Sequence, residues 1–394
     1  MSVTVQKSLA AANANVEPPI HVGDEGHDVN CVYALCQSPA VRYTLATGPA
    51  GKPSIAILSD GTILVSYIRN YFIDRIPKDE RMELIRSTDG GETWCKPIPI
   101  TRSEHNDREG YLIRLPDDSL LLCYMRVMAH TDPKRPWQGP YLCESKDGGR
   151  TWSEPWQIDI SRFCPNGPFG AGDRGHVVLP DGTLLLFVST YEDPPAPYNY
   201  VMISRDRGRT FPEYYQVSDQ SGDSSFALCP DGTIAGALRI NGDNFPHRGA
   251  HPELRVKSEG VHFMAATRSS DGGKTWSRAE PITGYNEIPG HLMCLKDGRL
   301  LLSFGVRHYP LGIQAFFSSP DRSTWLTNNR VMLAWHGGMY RLSHGYCRHT
   351  IGHPFTAQLP SGELFTAYYR LADPFDAATC QIEAVRWQAP AIKE

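Results

Sequence analysis

Short apolar runs broken by one polar turn recur six times along the chain. They read AILSDGTILVSY, LIRLPDDSLLLCY, VVLPDGTLLLFVS, ALCPDGTIAGAL, CLKDGRLLLSF and AQLPSGELFTAYY, with turns at Asp60, Asp117, Asp181, Asp231, Asp297 and Ser361. Asp-Gly between two β-rich runs is a strong hairpin signal, because both residues tolerate the left-handed backbone that a tight turn requires. Most hairpins are followed by a third apolar run, visible in YVMISRDRGRTF and FFSSPDRSTW, and then by a polar octet and a fourth short run. Six units of four short strands, repeating about every sixty residues, predict an all-β fold: a six-bladed β-propeller with four antiparallel strands per blade. The segment VRYTL, residues 41–45, is a candidate strand for closing the ring onto the last unit, which ends in CQIEAVRW. The expected organisation is an N-terminal extension over residues 1–38 and one propeller over 39–390.

The octets repeat as closely as the hairpins. STDGGETW begins at Ser87, SKDGGRTW at Ser145, SRDRGRTF at Ser204 and SSDGGKTW at Ser269, and a shortened copy, SPDRSTW, begins at Ser319. Their chemistry is that of folding. Asp accepts N–H bonds within its own turn, glycine permits positive φ, and Trp wedges an apolar body between blades while its N–H finds a partner. Asp89, Asp147, Asp206 and Asp271 are therefore read as structural.

Octets of the form S-x-D-x-G-x-T-W resemble the Asp boxes of the sialidase (neuraminidase) superfamily, and the resemblance covers roughly residues 40–390. It implies a sialidase-like propeller with the boxes on the face away from the active site. It also implies an exo-acting glycoside hydrolase in which three arginines hold a sugar carboxylate, a Tyr assisted by Glu is the nucleophile and an Asp is the acid/base. The chain departs from the family in its first blade. Counting back from the hairpin turn, Gly51-Lys52-Pro53 stands where an Arg-Ile-Pro motif is expected. Lys52 can replace the charge of the missing arginine but not its planar fork.

In a propeller, functional groups gather just before strand one and just after strand two of each blade. Before strand one lie Lys52, Asp107, Arg108, Glu109, Asp173, Arg174, His176, Asp223, Glu287, His291, Arg348, His349 and His353. After strand two, five of the six blades carry an arginine: Arg69, Arg126, Arg239, Arg307 and Arg370. Guanidinium forks suit planar anions, so the expected ligand is an anionic carbohydrate. Glu109, Asp173, His176 and Asp223 are the catalytic candidates. Lys52, Arg69, Arg108, Arg174, Arg239, His291, Arg307, His353 and Arg370 are the binding candidates. Tyr71, Tyr191, Tyr309, Tyr368 and Tyr369 are positioned to stack on a sugar face. No metal or cofactor is expected. Two alternatives remain open: a polysaccharide lyase acting on a uronic acid, and a non-catalytic carbohydrate-binding propeller.

Composition narrows the setting. The 394 residues carry a formal net charge of −4, without the basic excess of a nucleic-acid binder, and no apolar run is long enough to span a bilayer as a helix. The ten cysteines include no C-x-x-C pair, and several sit inside apolar runs, which fits buried thiols and a reducing, cytoplasmic setting. The N-terminus has no apolar signal-like core. The sequence leaves the oligomeric state open. The loop 241–260 is basic and rich in Pro and Gly, a candidate lid or contact surface.

Overall fold

The computed structural model describes residues 31–33, 40–72, 79–127, 137–165, 170–190, 198–219, 221–241, 262–308, 311–335, 339–341 and 347–391. Six antiparallel sheets, one per hairpin, are arranged as the blades of a propeller. Their innermost strands are Ala50–Ile57, Asn106–Arg114, Gly170–Gly172 continued by Val177–Val178, Ser225–Leu228, Glu287–Cys294 and Ile351–Gln358. Each inner strand packs on the inner strands of the two neighbouring blades, and the last packs on the first, so the ring is closed.

Closure uses the strand expected from VRYTL. Val41–Ala46 pairs antiparallel with Cys380–Trp387 and becomes the outermost strand of the sixth blade. Early and late chain thus share one sheet, and neither edge of that sheet's third strand is left open. Cys31–Tyr33, within the expected extension, lies parallel against the outer strand Arg330–Trp335 and gives the fifth blade a fifth strand.

The core lies between the blades, as the strand composition requires. Strand two is fully buried in several units, for example Leu184–Thr190 and Leu300–Val306. Aromatic rings bridge the seams: Phe187 stacks on Phe226 at 3.6 Å between the third and fourth blades, and Trp94 meets Phe365 at 6.0 Å between the first and sixth.

The octets fold as their chemistry predicts. In the first, Ser87 Oγ donates to Asp89 Oδ1 at 2.7 Å and accepts from Gly91 N at 2.8 Å. Thr93 donates its N–H and its hydroxyl to the two Asp89 oxygens, and Trp94 Nε1 donates to Gly91 O at 3.0 Å. The octets beginning at Ser145, Ser204 and Ser269 repeat the Ser–Asp–Thr pattern. Hydrogen bonds from Thr93 hold the Asp89 carboxyl down to about 2. The register places these turns at one end of the blades: Ser87 pairs with Ile63 at the start of strand two, while Arg69 at its far end pairs with Ala50. The polar segments before strand one therefore open on the opposite face.

Candidate functional site

Four inner strands break register at the same place. One extra residue bulges between Gly51 and Ser54, between Arg108 and Tyr111, and between Gly352 and Phe355. In the fourth blade the break falls between the Ser221–Ile240 bridge and the Ser225–Ala237 pair. Lys52, Glu109, Asp223 and His353 occupy these bulges with φ of 51°, 52°, 59° and 50°. Each lies eight residues before its hairpin turn. A bulge re-aims the side chain it carries, and positive φ at non-glycine residues is a strain that the surrounding sheet must hold. The first three of these side chains meet at the mouth.

Lys52 and Glu109 form an ion pair, and Tyr111 Oη donates to Glu109 Oε2 at 3.1 Å. Asp223 Oδ2 accepts from Arg239 Nη1 at 2.9 Å. These groups are tied together electrostatically. Burial and the neighbouring Arg108 guanidinium hold the Lys52 ammonium well below its ordinary value, against the pull of Asp223 and Glu80. Burial lowers the Arg307 guanidinium to about 10, helped by Arg239, while Tyr369, Asp223 and Tyr71 oppose the shift. The four side chains Lys52, Glu109, Asp223 and Arg239 are 11–27% exposed, so the cluster is enclosed yet open to solvent.

The five recurring arginines divide into two groups, which corrects the expectation that all of them face the funnel. Arg69 and Arg370 pair with Glu83 and Glu383 on strand three of their own blades, and Arg126 pairs with Asp107 of its own inner strand. In each case a Tyr stands two residues earlier: Tyr67 donates to Glu83, Tyr368 donates to Glu383, and Tyr124 accepts from Arg126. Arg239 and Arg307 lack that tyrosine. Where Tyr67 faces Glu83, the fourth blade sets Ala237 against Ala266. In the fifth, Gly305 faces Ile313. Without a strand-three carboxylate to hold them, these two arginines sit beside each other and Asp223.

Arg174 also moves. It is fully buried, with Nη1 donating to His353 Nδ1 at 2.7 Å and Nη2 to Pro354 O at 2.5 Å, and its guanidinium lies 5.6 Å from the Tyr111 ring centre. It reaches from the third blade to the sixth, and its charge also acts on Lys52. Because arginine only donates, His353 Nδ1 must be the acceptor, with its proton on Nε2. His176 and His291 adopt the same tautomer, each accepting a backbone N–H at Nδ1, from Phe187 and Thr356. Burial holds His176 down to about 3 and His291 well below its ordinary value. The three histidines are therefore neutral and separately committed. Arg108 sits at the edge of the mouth, paired with Glu80 at 2.8 Å and 5.7 Å from the Tyr71 ring centre.

Asp173 is buried, in the field of Asp223. It accepts from Ser189 Oγ at 2.6 Å, from Asn199 Nδ2 and from Ser224 N at 3.2 Å. Burial outweighs these bonds and raises its carboxyl to about 7. A raised folded value means that the native state binds a proton the unfolded chain has lost, so stability falls as pH climbs from about 4 through 7. Asp173→Asn is expected to flatten that slope, read as Tm at pH 5 against pH 8. Asn199 Oδ1 is buried without a partner among the described residues, and an amide flip would let it accept from the amide introduced at position 173.

Gly51 explains the missing first arginine. A Cβ there would lie 2.0 Å from Tyr71 Cδ1, so the Tyr71 ring occupies the space that any side chain at 51 needs. Tyr71 in turn lies 5.7 Å from Tyr369, and Tyr369 lies 5.6 Å from His353. The sequence reading passed over two other groups. Glu80, buried beside Arg108 and raised by burial to about 7, precedes strand three of the first blade. His262, lowered by burial and by Arg239 and Arg307 to about 4, opens strand three of the fourth. Strand-three starts lie on the same face as the mouth, and that register rule would have found both. Tyr191, Tyr309, the loop 242–261 and the side chains of Arg348 and His349 lie outside the described residues.

The sequence profile of the BNR repeat-like domain family matches residues 78–334, well over half of the chain. A sialidase of Bacteroides fragilis is 25% identical over 73% of this chain and 53% of its own length, and one of Clostridium perfringens is 24% identical over 59% and 61%. The chain thus spans between half and two thirds of the curated relatives it matches. Among solved structures, a Dyadobacter fermentans protein of unknown function superposes with a TM-score of 0.67 at 20% identity, covering 88% of this chain and 99% of that one. Trypanosoma rangeli sialidase in complex with sialic acid gives 0.60 at 13% identity, covering 88% and 58%. These likenesses show the fold, and with the Asp boxes and the family match they show that the chain belongs to the BNR repeat-like family of the sialidase superfamily.

Proposed function

We propose that this propeller is an exo-acting glycoside hydrolase that removes a terminal acidic sugar. The observation that carries the reading is the pair Arg239 and Arg307, neither held by a strand-three carboxylate as Arg69 and Arg370 are, with Asp223 beside both. Two cations against one carboxylate leave positive charge for an anionic ligand, and each offers a fork that matches a planar carboxylate. Lys52 adds a point charge across the mouth. Glu109 and Asp223 supply the acid and base that glycosidic cleavage requires. Tyr71 and Tyr369, both in the field of Arg307, are the nucleophile candidates. The names of the curated relatives support the same class.

A second reading is favoured by one observation, the depressed Lys52 ammonium. An amine that holds its proton less tightly than an ordinary lysine, beside anion-holding arginines, also suits α-proton abstraction from a uronic acid. Incubation with a panel of acidic oligosaccharides separates the readings. A hydrolase releases the terminal acidic sugar and no product with new ultraviolet absorbance, whereas a lyase releases an unsaturated, ultraviolet-absorbing uronide. Saturable binding without product would overturn both.

A further inference from the structure

The bulge that carries Asp223 is held from outside its own blade. Ser224 follows Asp223, and both of its backbone polar groups go to the third blade. Ser224 N donates to Asp173 Oδ1 at 3.2 Å, and Ser224 O accepts from Arg174 N at 2.7 Å. Within the fourth blade, Gly222 N donates to Arg239 O at 3.3 Å, and Ser224 Oγ accepts from Arg239 N at 3.4 Å, so both neighbours of Asp223 in the chain are fixed. Ser225 is tied in turn to the fifth blade, where Leu292 N donates to its Oγ at 2.9 Å. Asp223 itself keeps a φ of 59°, a left-handed backbone that persists only where the surroundings over-determine it.

Asp173 is anchored to two strands of its own blade. Its N–H donates to Phe187 O at 2.9 Å, Ser189 Oγ donates to its Oδ1 at 2.6 Å, and Asn199 Nδ2 donates to its Oδ2. Ser189 and Asn199 face each other on strands two and three. At 1% exposure the carboxyl is closed off from a ligand in the mouth. Its bond to Ser224 N leads out of the blade, to the residue beside Asp223.

We propose that Asp173 is a positioning residue for Asp223: by accepting the Ser224 N–H it keeps the bulge left-handed and aims the Asp223 carboxylate at the scissile bond. The role rests on the reading of Asp223 as an acid–base group of a glycoside hydrolase. Without the Asp173 carboxyl, the third blade holds Ser224 through the Arg174 N bond alone, and the strain at Asp223 has less to oppose it. Relaxation of φ swings the Cα–Cβ bond and carries Oδ2 away from Arg239 Nη1, now 2.9 Å distant. A shift of about 1 Å at a reacting group costs about 10²-fold in rate.

The test is kcat and KM for Asp173→Ala, Asp173→Asn, Asp223→Asn and the combined Asp173→Ala and Asp223→Asn protein, on the acidic oligosaccharide that the unaltered chain cleaves, with a crystal structure of the Asp173→Ala protein. Asp173→Ala is expected to lower kcat by about 10–10²-fold with KM nearly unchanged, and its structure to show Asp223 at negative φ, off Arg239. Asp173→Asn keeps an acceptor for Ser224 N and should recover most of what Asp173→Ala loses. In the Asp223→Asn background, Asp173→Ala should cost no more than about twofold further, because it acts through a carboxylate already gone. Should Asp173→Ala not fold, Asp173→Ser, whose hydroxyl falls one bond short of the Ser224 N–H, carries the same expectations. Unchanged kcat in Asp173→Ala, losses that multiply in the combined protein, no recovery with Asp173→Asn, or Asp223 still at φ 59° beside Arg239 would each overturn the positioning role. With Asp223→Asn slow, those results leave the hydrolase reading standing. An Asp223→Asn protein with unaltered kcat overturns the assignment of Asp223 and this role with it. The structural arm needs no substrate, so a failure of positioning is read apart from a failure of the hydrolase reading.

Discussion

Asp223→Asn is expected to lower turnover of an acidic glycan by about 10²–10⁴-fold, the range for losing a positioned acid–base group, while Tm stays within a few degrees. The substitution suits the test because it is nearly isosteric and because Asn tolerates the left-handed backbone that Asp223 adopts at φ 59°. Asp223 is the carboxylate at the meeting point of Arg239, Arg307 and Lys52. Its removal leaves the arginines without a counter-charge, so affinity for an anion should hold or improve as kcat falls. Measuring kcat and KM separately reads the two effects. Unchanged kcat would make Asp223 only a counter-ion for Arg239 and would move the catalytic assignment to Glu109.

Arg174→Ala is expected to cost stability, about 3 kcal/mol or more from a lost buried side chain and stranded acceptors, or a fall in Tm of about 3–6 °C. The guanidinium ties the third blade to the sixth through His353 Nδ1 and Pro354 O and packs near Tyr111. Arg174→Met keeps most of the volume and should recover part of the loss, a distinction that a thermal melt resolves. Lost turnover with an unaltered melt would instead return Arg174 to the ligand, as its sequence position suggested.

The repeats were legible because folding chemistry is local. An Asp-Gly turn, its flanking strands and an Asp box act within about a dozen residues, so the pattern alone gave the blade count, the four strands and the closing strand at Val41–Ala46. The site was legible only in part. Position before strand one selected Lys52, Glu109 and Asp223, which meet at one mouth, and equally Asp173, Arg174, His176, His291 and His353, which are tied to hydrogen-bond partners of their own. The difference lies in which partners from other strands and blades each side chain meets, and that does not follow from distance to a turn. The arginines carried a readable sign that was overlooked: a Tyr two residues earlier marks Arg69, Arg126 and Arg370 as bound to their own blades.

By itself the sequence determined the repeating unit, the number of blades and the face on which the chemistry lies, because hydrogen-bonded turns and alternating apolar positions are set by neighbours along the chain. Only the tertiary structure decided which charges remain available there. Whether a guanidinium is held by a strand-three carboxylate, buried against another blade or left beside another arginine depends on partners from other strands and blades. Charge pairing and desolvation act through space, and spacing along the chain does not report that distance.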